Sequence, residues 1–190
     1  KIYHMNEQLV RKDADSYHKK MVLGKIKVLK IQKKDIETEL LELFKNLAEG
    51  YVKRGHHVTV LTHRLRGTPK KEILNGVAIQ RVHSFFSRYA FTFSSFGKAI
   101  ALAQKHDVIQ TTTFNGAPPA WLAGKITKKP VVLTVHEVWQ GKWKVITGFS
   151  WLQSALHEWL EKAIYLLPYN RYVCVSEATK KDLLQLKQIP

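Results

Sequence analysis

A chain of 190 residues that is 45% hydrophobic has the size of one globular domain with room for a buried core. Thirty-one Lys plus Arg against fifteen Asp plus Glu give a formal charge of +16. This excludes a charge-balanced surface and points to anionic partners such as nucleic acid, lipid headgroups or phosphorylated ligands. The single cysteine, Cys174, excludes a disulfide framework, and its apolar setting marks it as a small buried hydrophobe. No apolar run approaches the roughly 18 residues of a membrane span, and the start lacks the apolar core of a signal peptide, so a cytoplasmic protein is expected.

Residues 1–24 are polar and basic without a sustained period and read as a basic leader. Asp13-Ala14-Asp15 has a spacing at which two carboxylates can share a hard cation, but no apolar strand precedes it to hold them. Lys25 to Ile31 alternates around Ile26 and Val28 and predicts a first strand. From Glu37, Leu40, Phe44, Leu47 or Ala48, and Tyr51 recur at helical spacing, and the helix is expected to stop at Gly55. His57 to His63 predicts a second strand, and strand, helix, strand in that order implies a parallel sheet with a right-handed crossover. Arg64 to Lys71 reads as a basic loop, and Asn75-Gly76 as a tight turn before a third strand over Val77 to Val82.

The aromatic cluster from Phe85 to Phe96 shows no clean period, and a short helix is expected over Ser95 to Lys105. Val108 and Ile109 begin a fourth strand that runs out into Thr111-Thr112-Thr113. Pro118 and Pro119 suit the first turn of the next helix. Pro130 opens a fifth strand over Val131 to Val135, covered on both faces and ending at His136. Trp151, Leu152, Ala155, Leu156, Trp159, Leu160, Ala163 and Ile164 keep helical spacing with His157, Glu158, Glu161 and Lys162 opposite, which predicts a long surface helix ended by Pro168. Arg171 to Val175 is a sixth strand, and Ser176 is typed to cap the helix beginning at Glu177. The pattern predicts an α/β domain over residues 25–190, a Rossmann-like, doubly wound and mostly parallel sheet of about six strands.

In such a sheet the carboxyl ends of the strands carry His63, Thr111, Thr112, Thr113, His136 and Ser176, on the edge where open α/β sheets bind ligands. Ser176 can serve as a cap and, with the free N–H groups of a helix start, as a phosphate contact. Trp139 and Lys142 follow His136 closely and suit a sugar or lipid headgroup, although tryptophans beside a helix also pack. There is no metal-type cluster of Cys and His, no Gly-x-Ser-x-Gly, no Walker loop and no Gly-x-Gly-x-x-Gly after the first strand, which removes support for simple hydrolase and dehydrogenase readings.

One ordered set of segments carries a resemblance. Ile36-Glu37, the run from Lys53 through His57 to Thr62, Asn75-Gly-Val77, His106-Asp-Val-Ile109, Ala123-Gly124 with the run from Lys129 to His136, and Val173-Cys-Val-Ser-Glu-Ala-Thr179 resemble the amino-terminal half of a retaining glycosyltransferase of family four. The resemblance covers about residues 36–190. It implies one half of a GT-B fold and transfer of a sugar from a nucleotide-sugar donor with retention and without an essential metal or cofactor. His136 is then the catalytic residue, Thr111, Thr112, Thr113, Asn115, Glu137, Trp139 and Lys142 bind the acceptor, and His63, Ser176 and Glu177 bind the donor. The implied acceptor is a sugar, a lipid or a phosphorylated molecule, met at the inner surface of an anionic membrane.

Two departures from the family pattern stand out. The glycine-rich loop expected before Ile36 is replaced by Gln32-Lys-Lys-Asp35, so that phosphate contact is lost, residues are absent near Lys33, or the first 35 residues are not the family's own beginning. The sequence stops at Pro190, where the family's carboxyl-terminal donor domain is expected to begin, and negligible activity is expected of this chain alone. A second reading is a non-catalytic Rossmann-like binding module whose basic surface meets a polyanion or a protein; nucleic acid is not expected, since no recognisable module accompanies the charge.

Overall fold

A computed structural model of the protein describes residues 44–83 and 88–187. The leader over 1–24, the strand at Lys25 to Ile31, the Gln32 to Asp35 segment and the Ile36-Glu37 helix start lie outside the described residues. The chain divides into two compact units, Lys1–Val58 and Thr59–Pro190.

In the first unit, residues 44–53 form helix α1 with Ala48 buried. It ends as expected: Gly55 adopts φ +85° and its N–H bonds to the Val52 carbonyl at 2.9 Å, a left-handed carboxyl cap that suits glycine.

The second unit is α/β and holds two three-stranded sheets rather than one sheet of six strands. The first comprises β1 (Thr59–His63), β2 (Lys71–Leu74) and β3 (Val77–Val82) in the order β1-β3-β2. β1 pairs with β3 in parallel, and β2 pairs with β3 in antiparallel register. The second comprises β4 (Ile109–Thr112), β5 (Val131–Val135) and β6 (Arg171–Cys174), all parallel in that order. The single-sheet expectation fails because no described strand lies hydrogen-bonded between β1 and β4.

The loop expected over Arg64 to Lys71 is present up to Lys70, but Lys71 opens β2, a strand that the sequence pattern does not predict. Asn75 and Gly76 both take positive φ, 51° and 81°, the geometry of a two-residue hairpin turn that matches strand twist, so the residues before the turn must pair with those after it. Short and mostly exposed, with Lys71 and Glu72 followed by Ile73 and Leu74, β2 offers no apolar alternation of its own.

Helix α2 (Arg88–Ala103) starts earlier than expected and absorbs the second half of the aromatic cluster. It packs on helix α3 (Ala117–Thr127), which carries Pro118 and Pro119 in its first turn. The short helix α4 (Trp143–Thr147) and the long helices α5 (Trp151–Leu166) and α6 (Glu177–Lys187) complete the unit. Leu133 and Val135 of β5 are fully buried among Ala117, Ala120, Tyr165, Tyr169 and Leu183. Each such aliphatic side chain contributes about 1.5–3 kcal/mol by leaving water. Cys174 is a free thiol at the margin of this core, half-buried, and burial raises its pKa.

The apolar stripe of α5 faces the opposite way from the expectation. Trp151 is 73% exposed and Trp159 64%, with Leu152, Leu156 and Leu166 also outside, while Ser154, Glu161 and Tyr165 are buried. The position is that of a surface helix, but its polar side packs inward because a carboxylate there has donors to meet. No described helix is long and apolar enough to cross a membrane.

Candidate functional site

β5 delivers His136 to the carboxyl edge of the second sheet. Its ring is half-buried with Nε2 withdrawn from solvent. Burial lowers the imidazole pKa below its ordinary 6.5 against the opposing pull of Glu137, so the ring is neutral at pH 7.

The backbone after His136 is held by side chains from two helices. Thr179 Oγ1 of α6 donates to the His136 carbonyl at 3.1 Å, and Tyr165 Oη of α5 donates to the Glu137 carbonyl at 3.0 Å. The Trp139 N–H donates to Glu161 Oε1 at 2.8 Å, and Val138 is buried. This loop is therefore positioned by α5 and α6 rather than by its own turn residues.

Glu161 is the centre of that arrangement. At 1% exposure its carboxylate also accepts the Trp143 indole N–H at 2.8 Å and the Gln140 amide at 3.3 Å. Burial raises its pKa and outweighs these donors, which favour the charged form. Amphipathic reading placed Glu161 on the solvent side of its helix; the signal that could have found it is the spacing Ser154, Glu161, Tyr165, one helical stripe opposite the tryptophans. Burying a carboxylate without such donors would cost several kcal/mol.

The exit of β4 joins this loop through an aromatic cluster. Phe114 follows Thr113 with φ +69°, a costly conformation for a bulky residue, and its ring meets Trp139 at 6.4 Å and Trp143 at 5.8 Å. Thr111 and Thr112 lie inside β4 itself, and Thr113 is buried at the start of a 3-10 turn, Phe114–Gly116. The Asn115 carbonyl accepts from Thr92 Oγ1 of α2 at 3.0 Å.

Ser176 caps α6: its Oγ accepts the Thr179 N–H at 3.1 Å and lies 2.9 Å from Thr179 Oγ1. Glu177, exposed, sits in the first turn beside Lys180. The structure thus assembles His136, Glu137, Trp139, Ser176 and the Thr113 turn around one sheet edge. Lys142 is engaged elsewhere, in a 2.8 Å ion pair with Asp182, and the indole of Trp139 donates to the Glu137 carboxylate. Trp143 is buried in packing. His63 ends β1 in the other sheet, exposed, its ring edge-on to Phe91 at 6.4 Å. Among the described residues no group of three or more His, Cys, Asp or Glu is placed to hold a metal ion, and Asp13 and Asp15 lie outside them.

No curated protein matches the chain closely enough to count as a relative. Two family models do match. Residues 1–54 match a family described as Protein of unknown function (DUF4254). Residues 43–190 match Glycosyltransferase Family 4. With that second match covering most of its length and the α/β unit with the His136 edge, the chain belongs to Glycosyltransferase Family 4.

Proposed function

We propose that this chain is the acceptor-side lobe of a retaining, nucleotide-sugar-dependent glycosyltransferase of GT-B architecture. The observation that carries the reading is the placement of His136: a neutral imidazole at the carboxyl end of a buried parallel strand, its backbone fixed by α5 and α6. A neutral ring so held can hydrogen-bond a hydroxyl of the donor sugar as positive charge develops at the reacting carbon, without the repulsion an imidazolium would add. Ser176, Glu177 and the start of α6 face the donor, with N–H groups suited to phosphate. Thr113, Asn115, Glu137 and Trp139 line the acceptor side, and the donor lobe comes from a second α/β half. The reaction needs no metal. The basic surface holds the protein at the cytoplasmic face of an anionic membrane that presents a lipid or phosphorylated acceptor.

The test is transfer from a panel of nucleotide sugars, read as nucleotide release. The 190-residue chain alone is expected to give no turnover; joined to a family donor lobe it should turn over, and His136→Ala should remove that activity. Turnover by the chain alone, or full activity of the His136→Ala form, would overturn the reading.

A second reading, a non-catalytic binding module, is favoured by two observations: residues 1–54 match a different family model, and Gln32 to Asp35 stand where the glycine-rich loop is expected. Failure of the joined form to release nucleotide while still binding a polyanion would select it.

A further inference from the structure

The antiparallel strand β2 builds a basic cavity at the opposite sheet from His136. Register pairing sets Lys71 beside Gln80, and the Arg81 N–H donates to the Lys70 carbonyl at 2.8 Å, so both lysines stand at the carboxyl end of β3. His83 follows β3, and α2 adds Ser94 and Lys98 from above. Together they line a cavity of about 400 Å³.

Among the described residues no carboxylate lines it. The nearby Glu72 is paired with Arg81, whose guanidinium also donates to the Pro69 carbonyl at 3.1 Å. Arg81 is thereby held in place with a side chain only 13% exposed. Lys70, Lys71 and Lys98 take part in none of the ion pairs among the described residues. Solvated surface lysines ordinarily spread apart; here Lys70, Lys71 and Lys98 line one concavity with an Arg81 held by Glu72, and a low-dielectric wall focuses the field of the unpaired charges.

We propose that this cavity is a binding site for a phosphate or pyrophosphate group. The guanidinium, pre-positioned by Glu72, offers fixed donors, and the lysines supply mobile point charges that can close on the oxygens of a phosphate. Ser94 Oγ, which bonds to the Phe91 carbonyl at 3.3 Å, is a further polar group on the wall. The site stands on charge and geometry alone. Its assignment to the acceptor's phosphate rests on the transferase reading above, whereas anion binding does not.

Calorimetric titration of the full chain with inorganic pyrophosphate at low salt tests it, alongside sedimentation with phosphatidylcholine vesicles that do or do not contain phosphatidic acid. Saturable pyrophosphate binding is expected. Lys70→Glu/Lys98→Glu should weaken it about tenfold or more, whereas Lys144→Glu/Lys162→Glu, the same charge change on α4 and α5, should leave it within about twofold. Lys70→Met/Lys98→Met repeats the test should charge reversal disturb folding, which circular dichroism monitors.

Selective co-sedimentation with phosphatidic acid vesicles, lost in the cavity variants, would identify a lipid headgroup as the source; pyrophosphate binding without it would identify a soluble phosphate. Absence of saturable binding to both probes overturns the site. Equal weakening by the two double variants also overturns it, since binding would then follow net charge.

Discussion

Thr179 Oγ1 donates across 3.1 Å to the carbonyl of His136 and so ties the first turn of α6 to the end of β5. The same threonine offers its backbone N–H to Ser176 Oγ, so the cap of a helix and the position of an imidazole meet at one residue. Thr179→Val keeps the shape and removes the hydroxyl. It is expected to cost about 1–2 kcal/mol in urea unfolding and to shift the backbone resonances of His136 and Glu137; unshifted resonances would mean the loop is held without it.

Glu161 should dominate the stability of this edge. Glu161→Ala strands the Trp143 indole N–H and the Trp139 N–H in a buried site and is expected to cost about 2–4 kcal/mol, read from denaturant midpoints. Its folded pKa lies above the ordinary 4.5, so its contribution is fully present below pH 4.5 and is lost as pH rises through the raised value. Glu161→Gln should flatten that slope while leaving an amide oxygen to accept the indole.

His136 has the opposite sign. Burial lowers its folded pKa, so its contribution is present above pH 6.5 and is lost as pH falls through the folded value. An NMR titration should place its midpoint below 6.5, and His136→Asn should reduce the acid-side loss of stability. A midpoint above 6.5 would contradict the neutral imidazole invoked for the donor sugar.

Gly124 marks a close approach of α3 to β5. A Cβ there would overlap Val131 Cγ2 and lie 2.9 Å from the Lys129 carbonyl, a backbone atom that cannot turn aside. Gly124→Ala is expected to destabilise by about 1–3 kcal/mol, measured by urea unfolding.

Trp151 and Trp159 test the inverted face of α5. Because both side chains are mostly exposed, Trp151→Ser/Trp159→Ser should leave unfolding free energy within about 0.5 kcal/mol per site. Tyr165→Ala on the buried side should cost about 3–5 kcal/mol. A large loss from the tryptophan pair would place the stripe in the core.

Period and punctuation determined much by themselves. The apolar run after Pro130 specified β5 and put His136 at its end, Ser176 announced α6, and Gly55 stopped α1, because strand burial, capping and left-handed glycine are local effects that short segments encode. The family resemblance likewise followed from residue order alone. Tertiary structure decided what depends on partners distant in sequence. β2 exists because Asn75-Gly76 folds the residues before it back onto β3, not because of any pattern in Lys71 to Leu74. α5 turned its carboxyl group inward because the indole of Trp143 and the N–H of Trp139 were waiting there, eighteen and twenty-two residues away, and these hydrogen bonds outweigh the burial of an apolar stripe that is left mostly exposed. The basic cavity, too, arises only when strand register and helix packing bring Lys70, Lys71, Arg81 and Lys98 together.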